Sequence, residues 1–177
     1  MKQWILPAAL MALAACGGNA PKQADATKPE DTTATVTTAA AATVSLKNDA
    51  LNAVLEHYEK LTEALVKGDV SGAKVAAAAI EVGAPAADAS GKLAESAKAI
   101  GAAADINAQR VAYSSLNDSF IGLVKASGMN SGELHVEFCP MAFDNKGGRW
   151  ISKSKDIRNP YFGDEMLTCG TVEETVK

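Results

Sequence analysis

The chain has 177 residues, a net charge of -4 and 47% hydrophobic residues, which suits one compact domain with flanking segments. It shows no basic stripe, arginine cluster or aromatic-basic interleaving, so nucleic acid is excluded as a partner class. Only 5% of the residues are aromatic and only three are cysteine. Where those few fall therefore carries most of the functional signal.

Residues 1–15 read as an export signal, with Lys2 as the positive start and an apolar stretch from Ile5 to Leu13. That stretch is too short to remain as a membrane-spanning helix. Leu13-Ala14-Ala15-Cys16 resembles the lipobox of bacterial lipoproteins, which implies that Cys16 is acylated and becomes the first mature residue. The implied location is the cell envelope, lipid-anchored and facing the periplasm, with the outer membrane favoured over the inner.

From residue 16 to 43 the composition shifts to Ala, Thr, Pro and scattered charge, with Val36 the sole large aliphatic residue. Such a segment buries too little apolar surface to offset its ordering entropy, so it reads as a flexible tether. Residues 44–177 are left for the folded domain.

The first two thirds of that domain carry helical periodicity. Over residues 46–67, Leu51, Val54, Leu55, Tyr58, Leu61, Leu65 and Val66 recur at three- and four-residue steps. Gly68-Asp69 ends this helix, and Asp69 caps a second, Ala-rich one that runs through Ile80 to Val82 before Gly83 and Pro85 interrupt it. Residues 92–100 form a third helical stretch, starting near Asp88 or Ser90. Asp105 caps a fourth, whose apolar face collects Ile106, Tyr113, Leu116, Phe120, Leu123 and Val124 up to Gly128. The expected fold is a mainly α, antiparallel bundle of about four helices, followed by a small C-terminal strand or hairpin and loop region. The bundle lacks the Glu-x-x-His pattern of di-iron bundles, and His57 reads as an ordinary surface residue.

After Gly128 the period becomes two. Leu134, Val136 and Phe138 alternate with His135, Glu137 and Cys139, the pattern of a half-buried strand with its apolar members against the bundle. Four residues of strand span about 13 Å at roughly 3.3 Å each, too far for one metal to bind both His135 and Cys139. His135 is thus an outer participant at most. Cys139 and Met141 would place their sulfurs on one side of an extended chain, and Met166 and Cys169 would share a face on a helical turn. Between these pairs lies a long excursion with turn signals at Asn145-Lys146-Gly147-Gly148 and Asn159-Pro160. Folded back, it would bring the four sulfurs together. Thiolate and thioether sulfur select Cu(I) over harder ions. Phe138, Phe143, Trp150, Tyr161 and Phe162 cluster in the same region. Phe138, Trp150, Tyr161 and Phe162 are the candidate shield for a soft metal, and all five also plug an aromatic-poor bundle.

The run Cys139-Pro140-Met141-Ala142, then Gly148, Trp150, Ile151-Ser152, Ile157, Asn159-Pro160-Tyr161-Phe162-Gly163, Met166 and Cys169-Gly170 resembles an uncharacterised bacterial envelope domain. That domain occurs in stand-alone lipoproteins and appended to periplasmic adaptors of copper and silver efflux pumps. The resemblance is specific over residues 128–170 and looser over the preceding helices. It implies handling of copper or silver in the envelope, with such an efflux adaptor as partner. Some members carry a histidine where this chain has Phe138, which leaves an all-sulfur ligand set here.

Two function classes stand against each other. One is a lipoprotein that binds Cu(I) or Ag(I) through Cys139, Met141, Met166 and Cys169, and buffers it or passes it on. The other is a non-metal interaction module stapled by a Cys139–Cys169 disulfide, the usual arithmetic for an even pair of cysteines in an oxidising compartment. An enzyme is not expected. A nucleophilic Cys139 would need a base, the only mature histidines are His57 and His135, and no Cys-x-x-Cys spacing exists.

Overall fold

The computed structural model describes residues 43–177. The residues read from sequence as an export signal, Cys16 and nearly all of the expected tether lie outside the described residues. Four helices and two small antiparallel sheets follow in chain order: β1 (Ser45–Leu46), α1 (Asp49–Lys67), α2 (Val70–Ala87), α3 (Lys92–Ala102), α4 (Ile106–Ser127), β2 (Met129–Ser131), β3 (Leu134–Cys139), β4 (Gly148–Ser152) and β5 (Thr171–Val176). A four-residue turn at Ala142–Asn145 and a 3-10 turn at Gly163–Glu165 complete the list. The mainly α bundle with a small C-terminal strand region is what the sequence predicts.

The helices start where short polar side chains take up free backbone donors. Asn48 accepts from Leu51 N, Asp69 from Gly72 N and Asp105 from Ala108 N, each about 3 Å away. The seven apolar positions predicted for α1 are all buried. Leu46, assigned to the first helix from sequence, instead belongs to β1, which pairs antiparallel with β2 and ties the domain's start to the turn after α4. At the other end of α1, Gly68 adopts a left-handed conformation (φ 69°), and its N–H reaches the last carbonyls.

The second helix differs from expectation. It runs through Gly83 and Pro85 to Ala87. Proline removes one hydrogen bond, to the residue four back, and here that loss falls in the last turn, where Asp88 N still bonds Ala84 O at 2.8 Å. The alanines around it keep the helix intact. The buried Asp88 carboxylate then accepts from Ser90 N and Leu93 N, both at 2.9 Å, and so starts α3. Successive helices pack on one another from α1 to α4, and α4 also packs against β4.

The C-terminal region forms a cap on this bundle. Its sheet has the order β4-β3-β5, all antiparallel, with β3 in the centre. The half-buried strand read from the alternation is corrected here. His135 (2% exposed), Glu137 (0%) and Cys139 (0%) are as buried as Leu134 and Val136. Central strands covered on both faces lose the polar-out requirement. One face looks to the bundle, where Ile151 N donates to Tyr58 Oη. The other is covered by the excursion after β4, which brings Tyr161 edge-on to Trp150 and Cys169 against Cys139.

Candidate functional site: a cysteine pair and a methionine-lined groove

Cys139 ends β3, and Cys169 lies just before β5. Both are free thiols, with their sulfurs 2.7 Å apart. Cys139 is fully buried, whereas Cys169 is partly exposed. Contact with the Cys139 thiol, reinforced by burial, raises the Cys169 pKa above the ordinary thiol value, while the Met141 backbone N–H pulls it down. At neutral pH the thiol form of Cys169 is therefore favoured, and a metal or an oxidant must displace its proton.

The two thioethers are placed differently from the extended-chain reading. The strand stops at Cys139, and Pro140 and Met141 form a turn in which Met141 takes helical dihedrals (φ -85°, ψ -12°). Its side chain is consequently 48% exposed, while Cys139 is buried. Three consecutive residues then adopt left-handed dihedrals, Phe143 (φ 53°), Asp144 (φ 57°) and Asn145 (φ 65°). Such a run costs about 1–2 kcal/mol for each residue other than glycine, less for Asp and Asn. The surrounding packing holds it, with the Phe143 ring edge-on to Tyr161 at 5.1 Å. Met166 follows the 3-10 turn, and its carbonyl accepts from Cys169 N at 3.0 Å, so these two sit on a tight turn of the predicted spacing. Met141 and Met166 both line one open groove of about 570 Å³, walled by Phe143, Tyr161, Phe162 and Arg110. The fold thus brings the cysteines into contact and the methionines to a shared groove, which neither cysteine lines.

Two other candidates fall elsewhere. His135 lies at the far end of β3, where Nδ1 is 3.1 Å from Thr175 Oγ1 and Nε2 is 3.5 Å from Glu133, and it is not brought to the cysteines. Of the aromatic residues, Trp150 is buried beneath the excursion, Tyr161 is a buried part of it, and Tyr161 and Phe162 line the groove. Phe138 is half-buried under the Arg149 guanidinium, 4.6 Å from its ring centre. Among the described residues no group of three or more His, Cys, Asp and Glu side chains is gathered to hold a metal ion. Any metal here rests on two thiolates and the thioethers.

Two positions that shape the region around the cysteines were not legible as such in the sequence. Asn159, which read only as a turn signal, is fully buried and clasps the excursion closed. Its side-chain amide donates to Cys169 O at 2.7 Å, its side-chain oxygen accepts from Tyr161 N and Phe162 N, and its own N–H reaches Leu167 O at 2.8 Å. Together with the bond from Cys169 N to Met166 O, this clasp sets the position of Cys169. Gly163 (φ 59°) lets the same loop press on the bundle, since a Cβ there would meet Val66 O at 2.6 Å. Arg110 secures the contact by donating to Pro160 O and Leu65 O at 2.9 and 3.1 Å.

The second is Glu137. Neither of its carboxyl oxygens makes a well-aligned hydrogen bond, although the Trp150 side chain stands close enough to favour the charged form. Burial pushes its pKa up to about 7; the Trp150 side chain opposes this, and the charge of Asp156 adds to it. A polar residue in an alternating strand normally signals the solvent face, so the pattern concealed it.

A family model described as a protein of unknown function, DUF3347, matches residues 54–132. An uncharacterised domain of that kind thus spans the helices from α1 to the end of β2. The Cys-Pro-Met and Asn-Pro-Tyr-Phe-Gly motifs, on which the sequence resemblance was strongest, lie beyond the match. Neither the curated proteins nor the solved structures give a match to this chain. Among the described residues no helix is long and apolar enough to cross a membrane.

Proposed function

We propose that this protein is an envelope lipoprotein, anchored through Cys16, that takes Cu(I) or Ag(I) on Cys139 and Cys169 and buffers the ion or passes it to an efflux adaptor. The observation that supports this reading is the meeting of two cysteines thirty residues apart, sulfur to sulfur, while Met141 and Met166, two and three residues from them in the chain, share one groove. Soft sulfur donors of both kinds suit a soft monovalent cation. Phe162 and Tyr161 beside the groove would limit water and oxidant. The ion is cargo, so an open groove and a two-thiolate anchor serve exchange better than a closed cage does.

Loading asks for one movement. Sulfurs at roughly 2.3 Å from a single tetrahedral ion stand about 3.8 Å apart, so the pair must open by about 1 Å. Cys139 is fixed in the central strand, which leaves Cys169, in the turn at the end of the excursion, as the side that gives. Both thiol protons leave as the ion binds.

The sulfur spacing favours a second reading, in which the oxidised pair is a structural staple and the region is a docking face. Closing a loop of about thirty residues would stabilise the fold by about 3–4 kcal/mol in the chain-entropy model. One sample separates the two. Thiol counting and metal analysis on the protein as purified, followed by Cu(I) titration of the reduced protein against a competing chelator, should show one tightly held ion. Cys139→Ser and Cys169→Ser should abolish tight binding, and Met141→Leu or Met166→Leu should weaken it with the melting temperature unchanged. Two oxidised cysteines, no Cu(I) retained after reduction and a fold destabilised only by the cysteine changes would leave the staple alone standing.

A further inference from the structure

Helix α2 is apolar on the side that faces away from the bundle as well as on the side that faces it. Its exposed positions are Ser71, Val75, Ala78, Val82, Pro85 and Ala86. The first five recur at steps of four, three, four and three, the spacing of a helix-packing seam. Val75 and Val82 are 74% and 84% exposed, among the few large hydrophobic side chains left in solvent. A lone exposed valine, such as Val111 on α4, is ordinary, but a continuous stripe along one helix is not.

The charges on α2 indicate what covers the stripe. They are only two, Lys74 and Glu81, seven residues apart and so on the same flank of the seam. Both are half-buried, and among the described residues neither makes an ion pair within the chain. In a twofold contact residue i meets j while j meets i. With the axis beside Ala78, an antiparallel copy of α2 sets Val75 against Val82 of the second copy and Lys74 against its Glu81, each pairing made twice. A parallel pairing would set the same two charges against Ala79 and Ala86, with nothing opposite in sign to meet. Ala78 at the crossing allows close helix approach. A lipid-facing helix would instead carry several Lys or Arg residues beside large aromatic ones, and this face has neither.

We propose that the outer face of α2 is the contact between two copies of this chain, packed antiparallel about an axis beside Ala78 with Lys74 and Glu81 paired across it. Sedimentation equilibrium of the full chain in a density-matched detergent tests this, with circular dichroism confirming that each variant is folded. The wild type should show a monomer–dimer equilibrium. Lys74→Glu or Glu81→Lys should each raise the dimer dissociation constant about tenfold or more, because like charges would then meet across the axis. The double change K74E/E81K should restore it to about the wild-type value. A monomer at all concentrations overturns the proposal, as does a dimer indifferent to the single changes or not rescued by the double one. Flotation of the Cys16→Ser full chain with lipid vesicles completes the test: a monomer that floats, and loses flotation on Val75→Ser, assigns the stripe to lipid and overturns the proposal equally.

Discussion

In the bundle, each of the helices α1, α2 and α4 is started by its own side-chain cap and held by a periodic row of apolar residues. In the cap, the excursion between β4 and β5 is held by single contacts, chiefly Asn159 clasping its ends, Gly163 against Val66 and Arg110 on Pro160. The bundle spreads its stability over many interchangeable contacts, whereas the cap depends on a few that cannot be exchanged. The cysteine pair belongs to the second kind of structure. Cys139 is fixed in a central strand, and Cys169 hangs on the Asn159 clasp.

The bundle can be broken only from within its apolar rows. Leu55 is 2% exposed and Phe120 0%. Leu55→Asp or Phe120→Asp would bury an unpaired carboxylate and should destabilise the chain by about 4 kcal/mol or more, the range reserved for a buried unpaired charge. Thermal unfolding followed by circular dichroism should show a transition lost or shifted far downward. A variant that melts near the wild type would mean that the apolar rows do not carry the fold.

The seam between bundle and cap is polar, and it sharpens the comparison. Tyr58 Oη accepts from Ile151 N at 2.8 Å and from Tyr113 Oη at 2.8 Å, and donates to Asn117 Oδ1 at 2.5 Å; Asn117 in turn reaches Tyr161 Oη at 3.1 Å. Burial, the leading cause, raises the pKa of all three tyrosines above the ordinary phenol range, so they act as neutral hydrogen-bonding groups. Tyr58→Phe keeps the ring stacking and removes three hydrogen bonds, leaving the Ile151 N–H buried without a partner. The cost should be about 2–3 kcal/mol. Hydrogen exchange should locate it, with amide protection falling in β3 and β4 more than in α1. Uniform loss across both regions would show that cap and bundle open as one unit.

How much of this was legible in the sequence follows the same division. The rows of α1 and α4 and the caps at Asp69 and Asp105 were readable, because helix formation is local and its period is written in consecutive residues. Pro85 was misread because an end-of-helix proline costs one bond rather than the helix. The positions of Met141 and Cys169 were not readable. The turn after Cys139 depends on a left-handed run at residues 143–145, and Cys169 is set by Asn159, ten residues earlier. The sequence offers Cys139 and Cys169 as one candidate pair, and the structure sets their sulfurs side by side. Their contact is a consequence of the sheet order β4-β3-β5, which places the start of the last strand beside the end of the central one.

Glu137 offers the finest probe of the cap, because its cost depends on pH. Its carboxyl titrates near 7 in the folded chain, against 4.5 for the unperturbed group, and burial is the main cause. Between those two values the folded state holds a proton that the unfolded state has released. Stability must therefore fall as pH rises through that window and level off above it. Each pKa unit is worth about 1.4 kcal/mol, so the penalty at pH 8 should be about 3 kcal/mol. Glu137→Gln keeps the shape and cannot ionise. Urea unfolding of the metal-free protein should find the variant near the wild type at pH 4.5 and more stable than it at pH 8 by about 3 kcal/mol, since the burial cost of the amide is the same at both pH values. Parallel stability profiles for the two proteins across this range would mean that the carboxyl finds a partner or water in solution. The cap would then be looser around β3 than its burial implies.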